Sequence, residues 1–238
     1  MHSPVPKLIP AEVLLLAYRS GVFPMADSRE DDEVFWVEPR RRAILPLDGF
    51  HCSRSLAKVL KQDRFRVTVD ADFGAVMDAC AQPRPDPEAG GESGTWISHT
   101  ITASYLNLHR HGHAHSVECW QDGELVGGLY GVAFERVFCG ESMFSRRDNA
   151  SKVALAWLVA LLKRAGFVLL DCQFMTGHLA SMGAVEISRD QYQEMLARAC
   201  DKQALSSLPQ AHAALLQASE AASSSPGKLI AQSFTQTS

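Results

Sequence analysis

The apolar-rich stretch Ala11–Ser20, Ala-Glu-Val-Leu-Leu-Leu-Ala-Tyr-Arg-Ser, predicts a short helix with Gly21 as its stop. The acidic run Asp27–Glu33 reads as a solvated loop, and Phe35-Trp36-Val37 as a strand closed by Pro39. Residues 54–62 read as a second helix. Arg54, Lys58 and Lys61 fall on one side of it, because residues three and four apart share a helical face. A strand over Phe65–Val69 and a helix from about Asp72 to Ala81 follow. Residues 83–94 hold three prolines, three glycines and three acids, the composition of an exposed, mobile loop.

A further helix spans about Ile101–Arg110. Ser116–Gln121 then alternates, Asp122-Gly123 signals a tight turn, and Glu124–Tyr130 returns as the partner strand. Ala133–Cys139 reads as another strand. Ala150–Ala165 reads as a long apolar helix capped by Asp148 or Asn149. Val168–Cys172 is a continuous apolar strand, expected to be buried on both faces, and Asp190–Cys200 a final helix. From Ser206 the composition turns to Ala, Ser and Gln, so residues 206–238 read as a tail with little part in the core. The element order over residues 65–200 is that of a mixed α/β (α+β) sandwich of the acetyltransferase type. The expected division is a small N-terminal α+β domain at 1–60, a catalytic domain at 61–205 and a tail at 206–238.

Composition narrows the classes. At 238 residues and 46% hydrophobic, the chain can bury a real core and is not a disordered one. Its longest apolar run, Val153–Leu162, is roughly half of what a membrane span needs, so no membrane association is expected. Prolines interrupt the first residues where a signal peptide needs an apolar stretch, and a cytoplasmic protein is expected. The six cysteines, at 52, 80, 119, 139, 172 and 200, form no C-x-x-C pair and read as free thiols. The formal net charge is −4, yet residues 39–66 carry Arg40, Arg41, Arg42, Arg54, Lys58, Lys61, Arg64 and Arg66 against only Asp48 and Asp63. A polyanion would dock on that strip rather than over the whole surface.

Four side-chain groups bear on chemistry. His109, His111, His113 and His115 cross Gly112 and read as a turn with exposed and half-buried rings rather than a metal site. Cys172 lies six residues before His178, but neighbouring Asp171 works against a thiolate. Strand alternation sends Asp171 and Gln173 to one face and Cys172 to the other, so the two polar residues end an apolar strand together. They are either a hydrogen-bonded pair at a sheet edge or reactive groups. Glu141, among apolar and small residues, is costly to bury unless it meets a cation, either in a structural salt bridge or in a pocket for a positive group.

Several runs together resemble the leucyl/phenylalanyl-tRNA–protein transferase family. They are Leu15-Leu-Ala-Tyr-Arg-Ser-Gly-Val-Phe-Pro24, Phe35-Trp36, Gly94-Thr-Trp-Ile97, Gly112-His-Ala-His-Ser116 and Glu124-Leu-Val-Gly-Gly-Leu-Tyr-Gly-Val132. The most specific are Phe138-Cys-Gly-Glu-Ser-Met-Phe-Ser-Arg146 with Asn149-Ala-Ser-Lys152, and Leu170-Asp-Cys-Gln173 with Gly183-Ala. The resemblance covers roughly residues 12–197. It implies a small N-terminal domain joined to an acetyltransferase-like domain, and transfer of Leu, Phe or less readily Met from aminoacyl-tRNA to proteins beginning with Arg or Lys. The product is an N-end-rule degradation signal. No cofactor or metal is implied, and a monomer is favoured.

Carried over residue by residue, the resemblance implies that Trp96, Leu129, Phe138, Gly140, Ser145 and Leu170 line the side-chain pocket. It puts Trp36 near the terminal adenosine, and Glu141, Asp171 and Gln173 around the reacting amine and ester. Phosphate contacts are expected from Arg40, Arg41, Arg42, Lys58 and Lys61. Met25-Ala26 stands where the family usually has an aromatic pair, Leu129 where methionine is commoner, and the chain begins after the family's Gly-Gly-Asp-Leu motif. The rival readings are an acetyl-CoA-dependent acetyltransferase, a non-catalytic tRNA- or peptide-binding adaptor, and a cysteine acyltransferase. The first is disfavoured because Ser145-Arg-Arg-Asp-Asn-Ala-Ser-Lys152 lacks the glycines that cradle a pyrophosphate.

Overall fold

Helix starts and tight turns form where the side chains demand them. A computed structural model describes residues 8–86 and 91–234. Its first elements are α1 (Ala11–Arg19), β1 (Phe23–Met25), β2 (Phe35–Val37), β3 (Arg41–Ile44), α2 (Arg54–Lys61), β4 (Arg66–Val69) and α3 (Phe73–Cys80). A short ladder, β5 (Arg84–Asp86) with β6 (Gly91–Ser93), precedes α4 (His99–Arg110). Then come β7 (Ala114–Gln121), β8 (Glu124–Phe134), β9 (Val137–Ser145), α5 (Ala150–Ala165) and β10 (Leu169–Gln173). The chain continues through α6 (Gly177–Ala180), β11 (Val185–Ser188), α7 (Arg189–Cys200), α8 (Leu208–Ala221) and α9 (Pro226–Ser233). Ser53, Asp72 and Ser98 cap α2, α3 and α4 by accepting a backbone N–H in the first turn. Asp122 and Gly123 both take positive φ, as a two-residue hairpin turn requires, and join β7 to β8.

Seven strands form one mixed sheet in the order β11-β3-β10-β9-β8-β7-β4. All its pairs are antiparallel except β9 with β10, which α5 connects. One apolar cluster gathers around α5 and a second around α1, α3, α4 and α7. This is the expected α+β class.

The structure corrects five expectations of detail. Ala133–Cys139 is not a strand: Glu135 has φ 43°, and the chain turns there between β8 and β9. Val168 precedes β10 and is exposed, so the strand starts one residue later than its apolar run. Residues 83–94 include a two-strand ladder, and only 87–90 of that loop lie outside the described residues. The boundary at residue 60 does not separate two bodies, because β3 sits inside the large sheet between β11 and β10.

The fifth correction concerns the tail. Residues 206–238 include two helices that cover α5 and α2, with Leu208, Ala211, Leu215, Ile230 and Ala231 buried. Ser207 and Gln210 form a reciprocal capping box on α8. Gly227 lies so close to α2 that a Cβ there would come within 2.0 Å of the Leu60 carbonyl oxygen. Its N–H donates to Asp63 at 2.9 Å.

Candidate active site

Two adjacent strands each carry one residue too many for their ladder, and both irregularities fall at the same level of the sheet. In β9, Ser142 opposes Tyr130 and Gly140 opposes Gly131, which leaves Glu141 without a partner position. In β10, Asp171 opposes Ile44 and Gln173 opposes Ala43, which leaves out Cys172. Such bulges re-aim side chains. Gln173 also takes φ 61°, a left-handed backbone held by its N–H donating to the Asp171 carboxylate at 2.8 Å. The result is that Gln173 donates from its side-chain amide to Glu141 at 3.0 Å. Its amide carbonyl is left for another partner.

The two side chains meet at the wall of a hollow of about 870 Å³, within the range of small-molecule sites. Leu129, Leu155, Leu158, Leu170 and Leu179 make its apolar part, and Met25 and Trp96 close the side toward β1. The stretch from Gly140 to Ser145 forms a further wall. Ser145 ties this wall to the start of α5, since its hydroxyl accepts from the Ser151 N–H at 3.2 Å.

Glu141 is held from behind by two phenols. Tyr18 donates to it at 2.7 Å and Tyr105 at 3.3 Å, and the two hydroxyls also bond each other. Burial pushes the Glu141 carboxyl up to about 7, against the hydrogen bonds from Tyr18 and Gln173 that favour its charged form. Burial likewise drives both tyrosines well above the ordinary phenol range.

Asp171 does not line the hollow. It is fully buried and accepts two parallel bonds from Arg42, at 2.9 and 2.6 Å, and a third from Tyr192 at 3.0 Å. Arg42, 2% exposed, also donates to the Gly21 carbonyl and lies between the rings of Phe23 and Tyr192. Burial works against its charge, and the Asp171 carboxylate outweighs that and holds the guanidinium above its ordinary value. Every strong donor of Arg42 is thereby engaged inside the protein.

The family models and the sequence relatives agree on one kinship. A family model described as leucyl/phenylalanyl-tRNA protein transferase matches residues 44–197, and one for the N-terminal domain of the same transferase matches residues 9–40. The chain belongs to the leucyl/phenylalanyl-tRNA protein transferase family. A relative of that name from Novosphingobium aromaticivorans is 55% identical over 98% of both chains. Another, from Rhizorhabdus wittichii, is 60% identical over 80% of this chain and 75% of its own. Among solved structures, L-PGS from Bacillus licheniformis is 14% identical with a TM-score of 0.37, covering 71% of this chain and 55% of that one. The chain is accordingly an enzyme, a transferase.

For a leucyl/phenylalanyl-tRNA protein transferase, the side chains sort as follows. Trp96, Leu129, Gly140, Ser145 and Leu170 border the hollow together with Glu141 and Gln173. Phe138 does not: it is fully buried in the core, with its ring packed where a Cβ on Gly131 would otherwise lie. Arg42 is no phosphate ligand, since Asp171 consumes it. Asp171 and Gln173 do not share a face toward the hollow, because the extra residue at Cys172 breaks the alternation. Asp171 therefore holds the backbone of Gln173 and does not border the hollow.

Arg40, Lys58 and Lys61 are exposed, and Arg41 is exposed beside Glu186 at 3.5 Å. Trp36, 44% exposed, lies on β2, paired with the strand that brings Met25 to the rim. The histidine run has ordinary partners: His115 bonds Asp70 at 2.6 Å, and His109 stacks on Phe73 and bonds the Ala114 carbonyl. Burial raises the Cys172 thiol, as Asp171 does, which disfavours a nucleophilic thiolate. Sequence reasoning passed over Tyr18 and Tyr105. Tyr18 shares the inward face of α1 with Leu14 and Leu15, and a phenol on such a face needs a buried acceptor. No helix among the described residues is long and apolar enough to cross a membrane.

Proposed function

We propose that this hollow takes the leucyl, phenylalanyl or methionyl end of an aminoacyl-tRNA and passes the acyl group to the α-amine of a protein beginning with Arg or Lys. The acceptor leaves with a new N-terminal Leu, Phe or Met, an N-end-rule degradation signal. The reaction is aminolysis of an ester. The amine nitrogen forms a bond to the carbonyl carbon, the bond from that carbon to the ribose 3′-oxygen breaks, and the amine's proton ends on that oxygen. An α-amine has a pKa near 7.7, so roughly one in six is neutral at pH 7 and little base strength is needed. Holding the two reactants together supplies the larger share, about 7 kcal/mol or more at best.

In this reading Gln173 accepts a hydrogen bond from the attacking amine through its amide carbonyl and aims the nitrogen lone pair. Glu141 faces the positive end of the acceptor. Asp171 acts through Gln173 by holding its backbone, and Arg42 acts through Asp171. The leucine-lined hollow takes the donor's side chain and disfavours β-branched or charged ones. Trp36 stands by the terminal adenosine, and Arg40, Arg41, Lys58 and Lys61 meet backbone phosphates. The enzyme works as a cytoplasmic monomer.

The observation that carries the reading is the bond between Gln173 and Glu141 at the wall of an apolar hollow, set by bulges in two adjacent strands. The test mixes the purified protein with radiolabelled Leu-tRNA, Phe-tRNA or Ile-tRNA and an acceptor beginning with Arg. Label is expected to move from the first two and not from Ile-tRNA. Absence of any transfer, or equal transfer from Ile-tRNA, overturns the reading. Gln173→Ala is expected to lower turnover at least tenfold, by the measure of general acid–base and orienting groups.

A further inference from the structure

Beside the reaction hollow lies a second, smaller one of about 390 Å³. Arg64, Arg146 and Arg147 line it with Phe65, Gln121 and Asp148, so three guanidinium groups face one carboxylate. Among the described residues none of the three arginines is ion-paired. That is unlike Arg42, Arg19 and Arg41, each of which has a carboxylate within reach. Arg146 is nonetheless anchored. It donates to the Leu125 carbonyl at 3.2 Å and rests over the Phe144 ring, 5.3 Å from its centroid. Three cations that line a concavity with a single carboxylate leave an excess of positive charge there, and an anion relieves the repulsion among them.

Arg146 borders both hollows. A ligand whose acyl end sits in the first has its continuing chain within reach of the second. We propose that the arginine hollow is a phosphate-binding subsite for the backbone of the donor tRNA, distinct from the exposed strip on α2. The inference rests on the proposed function, because it takes the occupant of the first hollow to be the end of a polyanion. It also corrects the expected basic path: with Arg42 internal, the path runs from Lys58 and Lys61 to Arg64, three residues beyond α2, and on to Arg146 and Arg147. Bidentate guanidinium groups suit phosphate oxygens better than ammonium groups do.

The test compares the full chain with its double variant Arg64→Gln/Arg147→Gln, two residues that do not border the reaction hollow. Binding of Phe-tRNA is followed by fluorescence anisotropy across a salt series. The log–log salt slope is expected to become shallower by about 1.4, two single-strand phosphates at about 0.7 each. In transfer assays, the ratio of KM for Phe-tRNA to KM for phenylalanyl-adenosine, which has no backbone phosphate, is expected to rise roughly tenfold. Arg64→Lys/Arg147→Lys is expected to keep the parent slope.

An unchanged slope and ratio in the glutamine variant overturn the subsite. An equal loss with both donors overturns it too, since it assigns the arginines to the reaction hollow. If the parent protein transfers from neither donor, the functional reading itself fails. If the double variant does not fold, Arg64→Gln alone carries the test, with half the change in slope.

Discussion

Replacing Glu141 by Gln tests the buried carboxylate from two directions. The substitution keeps the shape and one acceptor oxygen, which serves Tyr18; it sets an amide NH2, which donates, before the Tyr105 hydroxyl, and it removes the charge. In the folded protein this carboxyl releases its proton near 7, against an ordinary value of 4.5. Between these values the folded state holds a proton that the unfolded chain has already released. Stability therefore falls as pH rises from 4.5 and levels off above 7, the reverse of a salt-bridged carboxylate. At about 1.4 kcal/mol per pH unit, the interval amounts to about 3 kcal/mol.

The glutamine variant lacks this term. Urea unfolding from pH 4.5 to 8.5 is expected to show parent and variant diverging in the variant's favour by about 3 kcal/mol, most of it gained before pH 7. Parallel stability curves would refute the reasoning, since they mean that the carboxyl titrates alike in both states. The same ionisation bears on transfer: with an Arg-starting acceptor, the component of the pH–rate profile near 7 is expected to disappear in the variant.

Arg42→Met leaves Asp171 buried and uncompensated, and is expected to destabilise the fold by about 3–5 kcal/mol by urea denaturation. Adding Asp171→Leu is expected to restore much of that stability while leaving transfer impaired, because Gln173 loses the carboxylate that holds its backbone. Removal of residues 206–238 strips α8 from α5, where Trp157 packs by His212, and α9 from α2. It is expected to give a protein that aggregates or melts well below the parent in calorimetry, whereas a dispensable tail would leave the melting temperature unchanged.

The helices were legible because their ends carry local chemistry. Asp72 and Ser53 announce α3 and α2 through caps, and Asp122-Gly123 announces the hairpin. Composition hides the helix in the tail: its inward positions, Leu208, Ala211 and Leu215, are diluted by Ala and Ser, though their spacing of three and four is helical. Ser207 followed by Gln210 was the available sign of a helix start.

The site was legible in composition and not in geometry. Glu141 and Gln173 stood out as polar residues in apolar strands, but alternation has no means of foreseeing an extra residue. The bulge at Cys172 is set against β3, a strand distant in sequence, and the one at Glu141 by a register shift within the β8–β9 hairpin. Charge counts do not distinguish Arg42 from Arg40 and Arg41, so nothing in the basic run marks it as internal. Only β10, arriving 129 residues later, supplies the carboxylate that draws it inside.

The bond between Gly227 and Asp63 joins residues 164 positions apart. On a growing polypeptide, α2 is made long before the segment that covers its underside. The helix that bears Lys58 and Lys61 is clamped in its finished orientation only once α9 has emerged, so a copy that stops short of α9 leaves that face of α2 bare.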